Sequence, residues 1–230
     1  MKITYIFHSC FLVETAQCYY LFDYYMKDLP KLDREKPILV FASHTHPDHY
    51  NPAIFEKLEK MGMKHVAGVL AKDISKKKYP VGVETVTVTF HQKYDLPYNT
   101  QLETLQSTDQ GVAFLITCPE GTIYHAGDLN DWNWAEESEQ YNRQMTGNYR
   151  HEINLLAQTT IDVAFHPLDP RQEGDYAKGL LYFLKKVNVK KVFPMHYWGK
   201  PEIIGQFIKE HSEYRDIILP TEDYLPRESS

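Results

Sequence analysis

Cysteine is scarce in this chain: only Cys10, Cys18 and Cys118 occur among 230 residues. The odd count and wide spacing exclude a disulfide framework and suit small core residues of a reducing compartment. Long apolar runs are missing as well, and no segment approaches the roughly 20 apolar residues needed to span a membrane. Basic excess is also absent. The formal net charge is -6, which argues against nucleic acid or an anionic membrane as partner, since both reward basic surfaces. Lys76, Lys77 and Lys78 form a local basic run that reads as a solvated loop. The opening MKITYIFHSCFLVE alternates apolar and polar residues and lacks the apolar block and cleavage site of a signal peptide. A cytoplasmic protein is therefore expected. No linker, repeat or low-complexity segment interrupts the chain, so one domain over residues 1–230 is expected.

What the chain does have is strand signal. Hydrophobic residues make up 43% and charged residues 24%, an ordinary globular balance. Lys2–Phe7, Phe11–Glu14, Tyr19–Phe22 and the buried-type run Ile38–Ala42 predict strands. Asn51-Pro52 opens a helix carrying Ile54, Phe55, Leu58 and Met61 at helical spacing, and Gly62 closes it. Strands are expected again over 65–69, 83–90, 102–105, 112–117 and 122–125. The remainder alternates: helix 153–157, strand 163–165, helix 176–187, strand 191–193, helix 203–211, strand 217–219. Two successive strand-then-helix halves suggest two sheets packed face to face with helices outside.

The segment His44-Thr45-His46-Pro47-Asp48-His49 follows a buried strand directly. Buried imidazoles need partners for both ring nitrogens, so a run of this kind is hard to place in a core. Convergence on metal does explain it. His44 and His46, two apart, can point to one side of an extended segment. Pro47 forces a turn that sends Asp48 and His49 elsewhere, so one loop can serve two adjacent ions. Imidazole and carboxylate donors suit zinc first, with iron or manganese as alternatives. Two further strands end in candidate donors, Asp128 of His125-Ala126-Gly127-Asp128 and His196 of Phe193-Pro194-Met195-His196.

The order of apolar strand, HTHPDH, Gly-Asp and a late strand-end histidine resembles the metallo-β-lactamase fold superfamily over nearly the whole chain. Within it, the chain is similar to the small cytoplasmic metal-dependent hydrolases related to ascorbate-phosphate lactonases. Asp23 in YLFDYY matches the family's early structural aspartate. The resemblance implies an α/β, four-layer αββα sandwich. It also implies His44 and His46 in a first metal position, Asp48, His49 and His196 in a second, and Asp128 bridging. A metal-bound hydroxide would be the nucleophile, with Asp48 and His49 as catalytic residues and Asp48 taking up the released proton. One departure stands out. The family histidine that completes the first position is absent from Leu105-Gln106-Ser107-Thr108-Asp109-Gln110-Gly111, where Ser107 or Thr108 holds its place. Either His8 or His91 fills the gap, or the first position is weak and the chain holds one ion firmly.

Other residues carry two readings each. His8 lies at the expected lip of the site, and His125 reads as packed. Asp169 and Arg171, pinned between prolines, either display an arginine fork to a phosphate or carboxylate or fix their own loop as an ion pair. Trp132, Trp134, Tyr197 and Trp198 either rim the site or pack loops. The expected function is metal-dependent hydrolysis of a small ester, lactone or phosphodiester metabolite. The alternative is a metal-binding relative without turnover, such as a sensor or degenerate member.

Overall fold

The computed structural model describes residues 1–226, so the last four positions of the expected domain lie outside the described residues. The first half runs β1 (Lys2–Phe7), β2 (Cys10–Glu14), β3 (Tyr19–Phe22), β4 (Ile38–Ala42), α1 (Ala53–Lys60), β5 (Val66–Ala71) and β6 (Glu84–Val88). The second half runs β7 (Lys93–Leu96), β8 (Thr100–Gln106), β9 (Val112–Cys118), β10 (Gly121–His125), α2 (Glu139–Leu155), β11 (Thr160–Ile161), β12 (Val163–Pro167), α3 (Lys178–Lys186), β13 (Asn188–Val189), β14 (Val192–Met195) and α4 (Glu202–Glu210).

Two six-stranded sheets result, ordered β1-β2-β3-β4-β5-β6 and β14-β12-β10-β9-β8-β7. In each, an antiparallel part joins a parallel part: β3 to β6 run parallel, as do β10, β12 and β14. Aromatic side chains fill the space between the sheets. Phe11 meets Phe165 with ring centroids 4.3 Å apart, and Phe41 meets Phe114 at 5.3 Å. Helices cover the outer faces. α1 buries Ile54, Phe55 and Leu58, and Phe183 of α3 stacks on Tyr124 of β10 at 5.4 Å. The αββα sandwich expected from the sequence is the architecture found.

Several elements differ from expectation, among them the short strands β11 and β13. The helix expected over 153–157 is the last turn of the much longer α2. Its sequence EQYNRQMTGNYRHEINL is mostly polar and buries only Met145, Tyr149, Glu152 and Ile153, too thin an apolar stripe to read as periodicity. β7 was not anticipated, because KYDL is a polar strand at a sheet edge. The strand expected over 217–219 shrinks to one bridge, Val192 with Ile218. α1 begins one residue beyond Pro52, with Asn51 Oδ1 accepting from the Ala53 amide at 3.1 Å. Among the described residues, no helix is long and apolar enough to cross a membrane.

Candidate metal centre

Parallel strands leave their carboxyl ends open to loops, and the site is built there. The loops after β4, β10, β12 and β14 carry His44 to His49, Asp128, Asp169 and His196, and the turn after β1 adds His8. Three of the side chains concerned sit on left-handed backbone: His8 at φ 56°, Asp23 at 43° and His196 at 64°. Such positions cost on the order of 1 kcal/mol each and persist only where surrounding contacts enforce them.

Asp23, fully buried, organises the first loop. Its carboxylate accepts from the Ser43 amide and hydroxyl, both at 2.7 Å, and from His49 Nδ1 at 2.8 Å. Since the Ser43 hydroxyl donates to Asp23, its oxygen must accept from His44 Nδ1, 2.9 Å away. Both rings are thereby set in the tautomer that leaves Nε2 as a lone pair. Two glycines make the loop's position possible. A Cβ on Gly111 would lie 1.9 Å from the Ser43 carbonyl oxygen, and one on Gly127 would lie 2.7 Å from Ser43 Cβ.

His196 is oriented in the same way from the other side. Its Nδ1 donates to Asp169 Oδ2 at 2.9 Å. Arg171 clamps Asp169, Nε lying 3.0 Å from each carboxylate oxygen and Nη2 2.5 Å from Oδ2. Burial would raise the Asp169 carboxyl, but His196 and Arg171 outweigh it and hold it down at about 2. Asp169 and Arg171 do form an ion pair, and the pair aims His196.

Two groups of donors form. His8, Asp48, His49 and His196 make one; His44, His46, Asp109 and Asp128 make the other; within each, the donor atoms lie within 4.8 Å of one another. Asp128 reaches both, with Oδ1 3.1 Å from His49 Nε2 and 3.4 Å from His196 Nε2, and Oδ2 3.5 Å from His44 Nε2. Despite these short approaches, His8 Nε2, His49 Nε2, His196 Nε2 and Asp128 Oδ1 are buried without a hydrogen-bond partner among the described residues. Buried polar atoms are normally satisfied. Four orphans pointing into one gap fit a cation that would engage all of them. Charge supports the same fit. Burial would lower the His49 pKa, yet Asp128 and Asp23 raise it well above the ordinary value. Burial likewise pushes the Asp128 carboxyl up, and His49 and His196 overcome it, holding the group well below the usual range. The gap favours positive charge.

Placement of the other residues corrects several expectations. His8 stands with the second group, Nε2 3.4 Å from Asp48 Oδ2, and so does not fill the first. His91 is in neither group; its Nε2 lies 3.0 Å from both oxygens of Glu152. Ser107 and Thr108 do not face the donors as replacements. Ser107 Oγ accepts from the Asp109 amide at 3.2 Å, and Thr108 Oγ1 donates to the Asn130 carbonyl at 2.6 Å. The residue brought to the first group is Asp109, its Oδ2 3.6 Å from His46 Nδ1. Sequence reasoning missed it, although it lies in the segment where the histidine was sought. A carboxylate there was the available signal. His125 is packed, stacked on Phe22 at 4.9 Å and donating from Nε2 to the Ser9 carbonyl.

A cleft of about 320 Å³ opens over the donors, walled by Trp132, Trp134, Trp198, Tyr141, Met145 and Arg171. Three of the four expected rim aromatics are there. Tyr197 is buried instead, its hydroxyl 2.6 Å from Thr221 Oγ1.

Comparison with known proteins identifies the family. The profile of the beta-lactamase superfamily domain matches residues 2–196. A UPF0173 metal-dependent hydrolase of Opitutus terrae is 27% identical over 225 residues, covering 88% of this chain and 87% of that protein. Another of the same name from Pyrobaculum islandicum is 27% identical over 217 residues, covering 86% and 84%. The metallo hydrolase Igni18 of Ignicoccus hospitalis shares the fold at a TM-score of 0.65 with 18% identity, covering 94% of this chain and 93% of that one. The chain belongs to the beta-lactamase superfamily, in the company of metal-dependent hydrolases.

Proposed function

We propose that this metal-dependent hydrolase cleaves a small ester, lactone or phosphodiester that carries an oxyanion beyond the scissile bond. The observation that supports it most is the set of four orphaned, buried donor atoms beneath a cleft. His44, His46, Asp109 and Asp128 would hold one ion, and His8, Asp48, His49 and His196 a second that shares Asp128. Zinc is the first choice, iron or manganese the alternatives. Bound metal would supply an activated water and polarise the scissile oxygen.

The chain's own residues do the rest. Asp23 and Asp169 hold His49 and His196 in the required tautomer. Asp48 lines the cleft, and its carboxylate would take up the proton released in hydrolysis. Trp132, Trp134 and Trp198 exclude solvent from the reacting group. Arg171 bonds to Asp169 through Nε and Nη2, which leaves Nη1 for a phosphate or carboxylate of the substrate. The guanidinium is held between Trp198 and Trp134, 4.5 and 5.6 Å from the ring centroids.

Elemental analysis of the purified chain and of its His49→Ala and Asp128→Ala variants, with a panel of lactones and phosphodiesters, tests the proposal. Metal should be present in the wild type and fall sharply in both variants, and Arg171→Ala should raise KM for anionic members of the panel more than for neutral ones. Full metal in both variants, or a metal-loaded chain inert to every panel member, would overturn it.

A further inference from the structure

We propose that Asp109 completes the first donor group and leaves it poorer in imidazole than its neighbour, so that the two positions hold zinc with unequal strength. The inference rests on reading the site as a metal centre and goes beyond it. With Asp128 counted in both, the first group offers two imidazoles and two carboxylates, and the second offers three imidazoles and two carboxylates. Imidazole suits zinc, so the position with fewer imidazoles holds it less tightly.

Geometry supports a role for Asp109 as donor. Donors about 2.1 Å from one ion stand roughly 3 to 3.5 Å from each other. In the first group, His44 Nε2 lies 2.9 Å from His46 Nδ1 and 3.5 Å from Asp128 Oδ2, and His46 Nδ1 lies 3.6 Å from Asp109 Oδ2. The turn that carries Asp109 is held at both flanks. Ser107 Oγ takes the Asp109 amide, and Thr108 Oγ1 donates to the Asn130 carbonyl while accepting from the Asn130 amide at 3.0 Å. Those hydroxyls are occupied by the loop, and the carboxylate is the side chain left to face the histidines. Exposure differs between the groups as well. The first group's His46 and Asp109 are 37% and 43% exposed, although its His44 is buried, whereas the most exposed member of the second group, Asp48, is at 23%. The first position is therefore the more open to exchange.

The test uses the full chain stripped with a chelator, then titrated with zinc against a competing chelator. Bound ions are counted after gel filtration, and circular dichroism reports folding. The wild type should take up two zinc ions, the second at least about tenfold more weakly than the first. Asp109→Ala, and Asp109→Asn as a variant that keeps the side chain's size, should retain zinc near one per chain and bind the second ion at least about tenfold more weakly than the wild type does. Asp109→His should narrow the difference between the two zinc affinities. Folded Asp109 variants that bind both ions as the wild type does, or a wild type that binds two zinc ions equally tightly, would overturn the inference while leaving the metal-centre reading intact. A wild type that binds neither ion would overturn both.

Discussion

At the scale of single residues, two buried aspartates that touch no cleft decide where the histidines point. Asp23 fixes His49 and, through Ser43, His44. Asp169 does the same for His196. Outer partners of this kind set tautomer and basicity, and losing one typically weakens metal affinity 10- to about 100-fold. Asp169→Ala should fall in that range when ion affinity is measured by chelator competition. It should also free Arg171 from three bonds, so KM for anionic substrates should change along with metal affinity. His91→Ala is the matching control. Its ring binds Glu152 outside the donor groups, so its ion affinity should equal the wild type's. Unchanged affinity in Asp169→Ala would mean that left-handed backbone and ring packing alone hold His196.

At the scale of elements, the site depends on how closely the β8–β9 connection and the end of β10 approach the end of β4. Gly111, at φ +72°, stands where any Cβ would lie 1.9 Å from the Ser43 carbonyl oxygen and 2.6 Å from His44 Cβ. The Val112 amide, next along, donates to that same carbonyl at 3.0 Å. Gly111→Ala therefore meets both a disfavoured φ and backbone it cannot displace. We expect a loss of at least about 2 kcal/mol, read as a lower urea midpoint, together with weaker binding at the first position, because His44 must move. A variant as stable as the wild type would show that the loop can withdraw from β4 without cost.

At the scale of the whole molecule, ion pairs far from the site tie the second sheet's margin together. Asp162 accepts from Lys190 Nζ at 2.7 Å and from the Thr122 amide at 2.8 Å. The Lys190 bond, then the Thr122 amide, depress its carboxyl below the ordinary value. A carboxyl depressed on folding contributes stability that is full above its unfolded pKa of about 3.9 and is lost as pH falls through the lower folded value. Asp162→Ala should thus be less stable than the wild type at pH 7, by about 1 kcal/mol for a partly exposed pair with one backbone bond. The gap between the two melting temperatures should close as pH drops below about 3. A gap that persists at low pH would assign the loss to packing rather than to charge.

The sequence by itself determined the donors that are adjacent along the chain, and the fold. HTHPDH following ILVFA is local information: strand, turn and imidazoles lie within a dozen positions, and the period of two in the strands sets which side chains face inward. Alternating halves were enough to predict two sheets and outer helices. Only the tertiary structure decided which distant residues join the loop. His8 and His91 had equal standing in the sequence, yet one enters the site and the other pairs with Glu152. Ser107, Thr108 and Asp109 are neighbours, yet only the third faces the histidines, because the hydroxyls of the first two are spent on the turn and on Asn130. The physical reason is the same in each case. Whether a side chain ends as a donor depends on which hydrogen bonds it and its neighbours form, and, the turn at Ser107 aside, those partners lie tens of residues away.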